Sequence, residues 1–342
     1  MKIKEIFRFS TLLLLLSFAS CSRMPQEISM DGAQAYLVDY PEEGCLLANY
    51  APIYLIENDC REYNKIGTPS LELSVNPQKG CYRAFVDPCE ATVYGQIVNF
   101  ETCKGNYTNL IYRTHFQKVP FRLFPFNIIT GKNVGLLTII TLNDRKEPIL
   151  ITTAHTCGCF KAIIPTNFLS KDAYPCNWYT GKQLVCCGAA KQWLYGEELP
   201  AGVDYPGEFS TNIRPVLLLR DQTHRVTDVV LMDINEVKSE FDYTDLSLAP
   251  IETLKRLPLN GEELSFYGEN YIERGLVRNC YKPFELLFMS WFSLDPTIGV
   301  DKEYTCSSEL RTPFYTSLKP WARKDSDLWE FNNFLTYWGW NL

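Results

Sequence analysis

The sequence predicts an α+β fold in which antiparallel strands predominate, with a few helices and one helix at the carboxyl terminus. Apolar, β-branched runs alternate with polar turns through the middle of the chain, and apolar residues at helical spacing close it. Apolar residues make up 46% of the chain, which is enough for a large core. Strand pairs combined with segregated helices are typical of α+β proteins.

Two hairpins are the clearest predicted strand elements. Residues 134–142 and 149–153 are apolar and β-branched, and the polar segment 143–148 between them is a turn signal. Residues 213–219 and 226–234 form a second pair of the same kind. The run 149–153 favours a buried second strand in the first hairpin.

Helices are predicted at residues 250–257 and at the carboxyl terminus. Asp325 or Ser326 can cap the terminal helix, because their side-chain oxygens accept hydrogen bonds from the amides of a first turn. Gly339 follows as a stop signal. The apolar positions at helical spacing are Leu328, Phe331, Leu335 and Trp338.

The chain divides into three predicted parts, which are residues 1–20, 21–115 and 116–342. The first is an export signal and the last is a β-rich main domain that ends in a helix. The middle part is rich in Cys, Pro, Gly and Asn, so we expect short strands and long loops there.

Residues 1–20 have the three parts of an export signal, namely a basic start, an apolar centre and a small-residue end. The apolar stretch 9–18 is shorter than the roughly 20 residues that a membrane-spanning helix needs. Phe18-Ala19-Ser20-Cys21 resembles the lipobox of bacterial lipoproteins, although Phe18 stands where that family prefers Leu.

The lipobox resemblance implies that Cys21 is acylated, becomes the new amino terminus and anchors the chain to a membrane of the bacterial cell envelope. By the same analogy, Ser22 after the cysteine favours the outer membrane. Two or more acyl chains hold a protein stably, whereas one does so only marginally. The alternative is ordinary cleavage after Ala19, which would release a soluble protein.

The formal net charge is −7, and no basic run interrupts the sequence. Nucleic-acid binding requires a basic surface that neutralises phosphates, so this composition excludes nucleic acid as a partner. The expected partner is therefore the membrane, through the lipid on Cys21.

Thirteen cysteines are present, and twelve remain if Cys21 carries lipid. An even number in an exported chain is typical of a protein that is linked by disulfides. We expect most of the five cysteines between residues 45 and 103 to be bridged, because that region has few long apolar runs. The twelve are Cys45, Cys60, Cys81, Cys89, Cys103, Cys157, Cys159, Cys176, Cys186, Cys187, Cys280 and Cys306.

The one concentration of reactive side chains is His155-Thr156-Cys157-Gly158-Cys159, directly after the second strand of the first hairpin. Side chains two apart on an extended chain share a face, so His155, Cys157 and Cys159 are expected to converge. Gly158 allows the backbone to fold between the sulfurs. Two thiolates and an imidazole suit a soft or borderline ion such as copper or zinc.

A fourth ligand could come from His115, Cys186 or Cys187. The same geometry permits a reducible disulfide between Cys157 and Cys159, and hence thiol redox chemistry. The remaining alternative is structural, with both cysteines bridged to distant partners and a histidine that is hydrogen-bonded in the core.

A second resemblance concerns hydrolases. Residues 152–157, Thr-Thr-Ala-His-Thr-Cys, look like the histidine motif of trypsin-like serine proteases, and Asp245-Leu246-Ser247-Leu248-Ala249 is similar to their aspartate segment. In that family the histidine is the general base and the aspartate orients it. The nucleophile motif Gly-Asp-Ser-Gly-Gly is missing, and Ser307 and Ser308 lack the glycines of an oxyanion loop. A triad without a nucleophile does not support a hydrolase.

Four of the seven tryptophans lie near the carboxyl terminus. They could form a platform for carbohydrate or lipid, but a helix that is apolar on several faces favours a buried closing element. The four are Trp321, Trp329, Trp338 and Trp340.

Three classes of function follow from these patterns. The first is a lipid-anchored envelope protein with a structural or binding role. The second is a metal-binding or thiol-redox protein that uses His155, Cys157 and Cys159. The third is an enzyme of unrecognised type, which the missing catalytic motifs make the least favoured.

Replacing Cys21 with Ser tests the anchor. Because only the cysteine accepts the lipid, the variant precursor should stay unprocessed or leave the membrane fraction, as cell fractionation with immunoblotting would show. Normal processing and membrane attachment of the Cys21→Ser protein would contradict the prediction.

Overall fold

Antiparallel strand pairs build most of the molecule, and the α+β class predicted from the sequence is confirmed. The structure is a computed structural model, and the residues it describes are 32–39, 45–74, 82–123, 126–176, 178, 182–185 and 197–342. Cys21 and the predicted export signal lie outside these ranges.

The strands of the described residues are β1 Gln34–Leu37, β2 Ile53–Ile56, β3 Ile66–Leu73, β4 Tyr82–Asp87, β5 Thr92–Thr102, β6 Gly105–Val119, β7 Gly131–Leu142, β8 Pro148–His155, β9 Ala162–Pro165, β10 Lys182–Val185, β11 Glu197–Pro200, β12 Ile213–Leu219, β13 Val226–Asp233, β14 Asp242–Asp245, β15 Ser247–Pro250, β16 Leu257–Leu259 and β17 Glu262–Leu264.

Two large sheets lie at the centre. The larger follows the order β15-β5-β6-β7-β8-β9, with β3 paired to β6 and to β4. The smaller follows the order β13-β12-β2-β1-β14. Both predicted hairpins are confirmed as the antiparallel pairs β7–β8 and β12–β13. Asn143 fixes the turn of the first, since its side-chain oxygen accepts from the amides of Arg145 and Glu147.

The larger sheet separates two cores because successive side chains of a strand point to opposite faces. On β7, Leu136 and Ile140 pack towards the smaller sheet, together with Tyr36 and Tyr54 from that sheet. Ile139 points to the opposite face, where the carboxyl-terminal segment covers the sheet. The order of layers is therefore the smaller sheet, the larger sheet and the carboxyl-terminal segment.

The α-helices of the described residues are α1 Leu46–Asn49, α2 Ile234–Glu240, α3 Pro283–Ser293 and α4 Phe331–Tyr337. Three-residue or five-residue 3-10 turns occupy Glu62–Asn64, Lys171–Ala173, Ile251–Lys255 and Pro320–Ala322. The turn at Ile251–Lys255 lies within the short helix that the sequence predicts at 250–257. Within the described ranges, no helix combines the length and apolar content that crossing a membrane requires.

The terminal helix α4 begins later than predicted. It starts at Phe331, and neither Asp325 nor Ser326 caps it. The hydroxyl of Ser326 instead accepts from the amides of Thr316 and Ser317, which fixes a buried loop. The stop at Gly339 is confirmed, because this residue has a φ of +91°. Burial of the helix is confirmed too, and Trp340 after it is buried, but Trp321 before it is exposed.

Between residues 21 and 115, the residues that the structure describes are more regular than the expected short strands and long loops. Strand β5 has eleven residues and β6 has fifteen, joined by a tight turn at Cys103-Lys104. The boundary predicted between residues 115 and 116 falls inside β6. This strand pairs with β5 along one edge and with β7 along the other.

The disulfides expected in this part are not formed by the cysteines that the structure describes there. Cys45, Cys60, Cys89 and Cys103 each carry a thiol, and Cys81 lies outside the described residues. Sheet pairing and burial hold these segments instead, since every residue of β2 is buried between neighbouring strands.

Ile151 on β8 is fully buried between the two sheets, whereas Ile97 on β5 is 44% exposed. Replacing Ile151 with Ala should lower the free energy of unfolding by about 2–5 kcal/mol, since it removes buried apolar volume and leaves a cavity. Ile97→Ala is the matched control and should cost clearly less. Urea unfolding measures both, and equal losses would contradict this placement of the core.

Candidate metal centre

A tight turn follows β8 and brings two sulfurs together. The strand ends at His155, and the amide of this residue donates to the carbonyl of Cys159 at 2.9 Å. The amide of Gly158 donates to the carbonyl of His155 at 2.7 Å. The thiols of Cys157 and Cys159 are both buried and lie within 4.8 Å of each other.

Gly158 is required at this turn for two reasons. Its φ of +94° lies in the region that side chains rarely adopt. A Cβ at this position would also come within 2.0 Å of the carbonyl oxygen of Tyr315. The prediction that Gly158 lets the backbone fold between the two sulfurs is confirmed.

Helix α3 provides a third group. The carboxylate of Glu285 is fully buried, and one oxygen lies 3.8 Å from the sulfur of Cys159. The thiols of Cys157 and Cys159 and this carboxylate all have a ligand atom within 4.8 Å of one another. In a tetrahedral zinc site with bonds of ~2.3 Å to sulfur and ~2.1 Å to oxygen, two such ligand atoms lie about 3.6 Å apart. The three groups are therefore close to metal-ligand spacing.

The second oxygen of Glu285 is buried and makes no hydrogen bond. Gly299, with a φ of +79°, makes room for it, because a Cβ there would lie 2.2 Å from this oxygen. The ammonium of Lys282 lies 3.9 Å from this oxygen, which is too far for a hydrogen bond. A buried acceptor that makes no hydrogen bond is costly, so a group that satisfies it stabilises the site.

The space beside the sulfurs is small. A cavity of about 10 Å³ borders Cys157, Gly158, Cys159, Gly299 and Tyr315. That volume accommodates about one water molecule. A single ion or water fits there, whereas an organic substrate does not.

A buried ion pair lies next to the cluster. The ammonium of Lys282 is 2.9 Å from one carboxylate oxygen of Asp301 and 3.9 Å from Glu285. Burial alone would raise the pKa of Asp301, but Lys282 and the hydroxyl of Thr156 hold it below its ordinary value. Burial likewise opposes the charge of Lys282, yet Asp301 and the nearby thiol of Cys157 raise its pKa well above the ordinary value.

Two of the ligand groups, Cys157 and Glu285, have raised pKa values. The hydrogen bond with Cys159, followed by burial, raises the pKa of the Cys157 thiol well above its ordinary value. Burial raises the pKa of Glu285, although the charge of Lys282 opposes this shift. A cation that enters the site must therefore displace protons.

The three residues proposed from the sequence do not all converge. Alternation along a strand placed His155 beside the cysteines, but the chain turns after His155 and the alternation ends. The ring Nε2 of His155 lies 3.3 Å from the carbonyl oxygen of His224. Burial is the main cause that lowers the pKa of His155 to about 3, so the ring is neutral.

Of the fourth ligands proposed, His115 has a different role. Its Nε2 accepts from the guanidinium of Arg113 at 2.9 Å, and its ring packs edge-on against Phe266. Cys186 and Cys187 lie outside the described residues. Among the described residues, the cluster consists of two thiols and Glu285.

The structure separates the residues that resemble a protease. His155 ends β8 of the larger sheet, whereas Asp245 is exposed at the end of β14 in the smaller sheet. The oxygen that faces the His155 ring belongs to the backbone of His224. The orienting contact of a serine-protease triad is therefore not made by these two residues.

Comparison of the chain with protein-family models, with curated proteins and with solved structures gave no match.

Glu285, Lys282 and Asp301 were not anticipated from the sequence. One signal could have pointed to Glu285, because it is the only charged residue between Pro283 and Leu294. A lone carboxylate in an apolar helix is either buried with a partner or has a function. Nothing local marks Lys282 and Asp301, which meet only through the fold.

Replacing Gly158 with Ala should destabilise the turn that holds the sulfurs. The new methyl group overlaps the carbonyl of Tyr315, in addition to the roughly 1–2 kcal/mol that a side chain costs in left-handed backbone. Gly261 provides the control, because its φ is +87° and no atom lies within 4 Å of a Cβ there. Gly261→Ala should show the backbone cost alone in urea unfolding. A Gly158→Ala protein as stable as Gly261→Ala would contradict the close contact.

Proposed function

We propose that this chain is a metal-binding protein that holds a borderline divalent ion such as zinc between Cys157, Cys159 and Glu285. The observation that carries the proposal is the convergence of these three buried groups within 4.8 Å, with one oxygen of Glu285 left without a hydrogen bond. Thiolate and carboxylate ligands at this spacing suit zinc.

The carboxylate favours zinc over copper. Thiolates bind Cu(I) and zinc alike, but a hard carboxylate oxygen adds little to a Cu(I) site and is a common zinc ligand. A divalent ion with two thiolates and one carboxylate carries a net charge of −1. The ammonium of Lys302 adds positive charge nearby, since it donates to the carbonyl of Cys157 at 2.9 Å.

Thiol redox chemistry is the second candidate, because the two sulfurs are close enough to approach each other. Burial of both thiols and the raised pKa of Cys157 disfavour it. Reactive cysteines are exposed and have a lowered pKa, which lets the thiolate attack.

The proposed setting is the bacterial cell envelope, with the chain attached through lipid on Cys21. The support for this part is the lipobox-like segment that ends at Cys21, together with the export signal before it. The protein would then hold its ion outside the cytoplasm.

Zinc binding is tested on purified protein with Zn²⁺ as the only added metal, followed by dialysis and elemental analysis. We expect about one zinc per chain, as for a mononuclear site. Because protons must leave the ligands, the affinity should fall as the pH is lowered. Loss of an outer partner of a metal ligand costs about 10–100-fold in affinity, so Glu285→Gln and Cys159→Ser should cost at least as much.

Two matched variants control for indirect effects. His155→Asn should keep full zinc loading, because the ring contacts the carbonyl of His224 rather than the sulfurs. Cys306→Ser removes a thiol that contacts Ser308 and should also keep full loading. Zinc loading that survives both Glu285→Gln and Cys159→Ser, or wild-type protein that binds no zinc, would overturn the proposal.

A further inference from the structure

Helix α3 buries two polar side chains and exposes several apolar ones. Glu285, Met289 and Ser293 form the buried stripe. Leu287 and Trp291 of the helix and Leu294 directly after it are 65%, 62% and 69% exposed, although all three are strongly apolar. A helix at the surface of a soluble domain normally has the opposite arrangement.

The exposed side of α3 continues onto residues of the segment between β6 and β7. Phe121 is 58% exposed and stacks on Phe284 of α3, with ring centroids 5.6 Å apart. Phe126 packs edge-on against Phe284 at 4.8 Å and against Phe288 at 6.2 Å. Leu123, from the same segment, is 73% exposed. These side chains form one apolar surface with the exposed side of α3, called here the α3 face. Its residues are Phe121, Leu123, Phe126, Phe284, Leu287, Phe288, Trp291 and Leu294.

The α3 face carries no charge along its helix. The only charged residue from Pro283 to Leu294 is Glu285, and its side chain is fully buried. Single exposed apolar residues are normal, but a contiguous group of this kind marks a surface that another body covers.

Basic residues lie at one end of the α3 face. The guanidinium of Arg323 donates to the carbonyl of Ser293, the last residue of α3. This contact ties the segment 319–325 to the helix end. Trp321 in that segment is 79% exposed, and Lys319 and Lys324 beside it are exposed as well. With Asp325 as the only acid, the segment is positive in a chain whose net charge is −7.

We infer that the α3 face docks onto the surface of a bilayer that contains anionic phospholipid. An uncharged apolar helix face that lies in the plane of a membrane interface buries its side chains among the acyl chains. Tryptophan is enriched at that interface, where its ring is apolar and its N–H remains polar. The adjacent lysines meet the negative headgroups. This inference is independent of the metal site and does not require acylation of Cys21.

The test uses the mature chain, residues 21–342 with Cys21→Ser, which contains every described residue and has no acyl anchor. The probes are vesicles of phosphatidylethanolamine with phosphatidylglycerol, and vesicles of phosphatidylcholine alone. We expect the protein to co-sediment with the anionic vesicles, and brominated lipid to quench its tryptophan fluorescence. Lys319→Gln with Lys324→Gln should weaken binding to anionic vesicles, and high salt should abolish this difference.

The decisive variant combines Leu287→Glu and Trp291→Glu. Both side chains are exposed, so the fold should persist while vesicle binding falls by at least about tenfold. Leu73→Glu with Ile97→Glu is the matched control, since it adds the same charge at exposed apolar positions of β3 and β5. The control should bind as the wild type does, and urea unfolding checks that all the variants are folded.

Three results would overturn the inference. The first is that the Cys21→Ser chain without further substitutions, which serves as the wild type in this test, binds neither kind of vesicle. The second is that the Leu287→Glu/Trp291→Glu protein binds as well as the wild type. The third is self-association of the wild-type chain without vesicle binding, lost in that variant, which would assign the α3 face to a second copy of the chain.

Discussion

The ion pair between Lys282 and Asp301 is the contact on which the rest of the structure depends. One carboxylate oxygen of Asp301 accepts from Lys282 at 2.9 Å, and the other accepts from the amide of Gly135 at 2.7 Å and from the hydroxyl of Thr156. Strand β7, the turn after β8 and the start of α3 therefore meet at one carboxylate. A buried charge whose partner is removed is strongly destabilising, so these three segments hold one arrangement relative to each other.

Local patterns determined how much of the fold could be predicted. All eight residues of β8 are buried. The strand contains the apolar and β-branched run 149–153, so the hairpin with β7 was evident from the sequence. Strand β6 was missed because several of its buried residues are polar. Asn109 accepts from the hydroxyl of Thr141, and Arg113 donates to the carbonyl of Lys302. Such residues resemble a loop in sequence, and only their distant partners explain their burial.

The candidate site likewise has one part that could be predicted from local sequence and another that could not. The turn around Gly158 depends on neighbouring residues, so the approach of Cys157 and Cys159 could be predicted. The direction of His155 could not, because it depends on where β8 ends. Glu285 lies 126 residues after Cys159 in the chain. No local spacing connects it to the cysteines, and the fold alone brings it there.

The inverted polarity of α3 also determines how the helix can be rotated about its axis. Successive residues of an α-helix are about 100° apart, so Glu285 and Leu287 point to nearly opposite sides. A roll that buried Leu287 and Trp291 would carry the carboxylate of Glu285 away from Lys282 and the thiols. The observed rotation of the helix therefore keeps the polar contacts of Glu285 while Leu287 and Trp291 stay exposed. With an apolar residue in place of Glu285, one of the few polar restraints on that rotation would be lost.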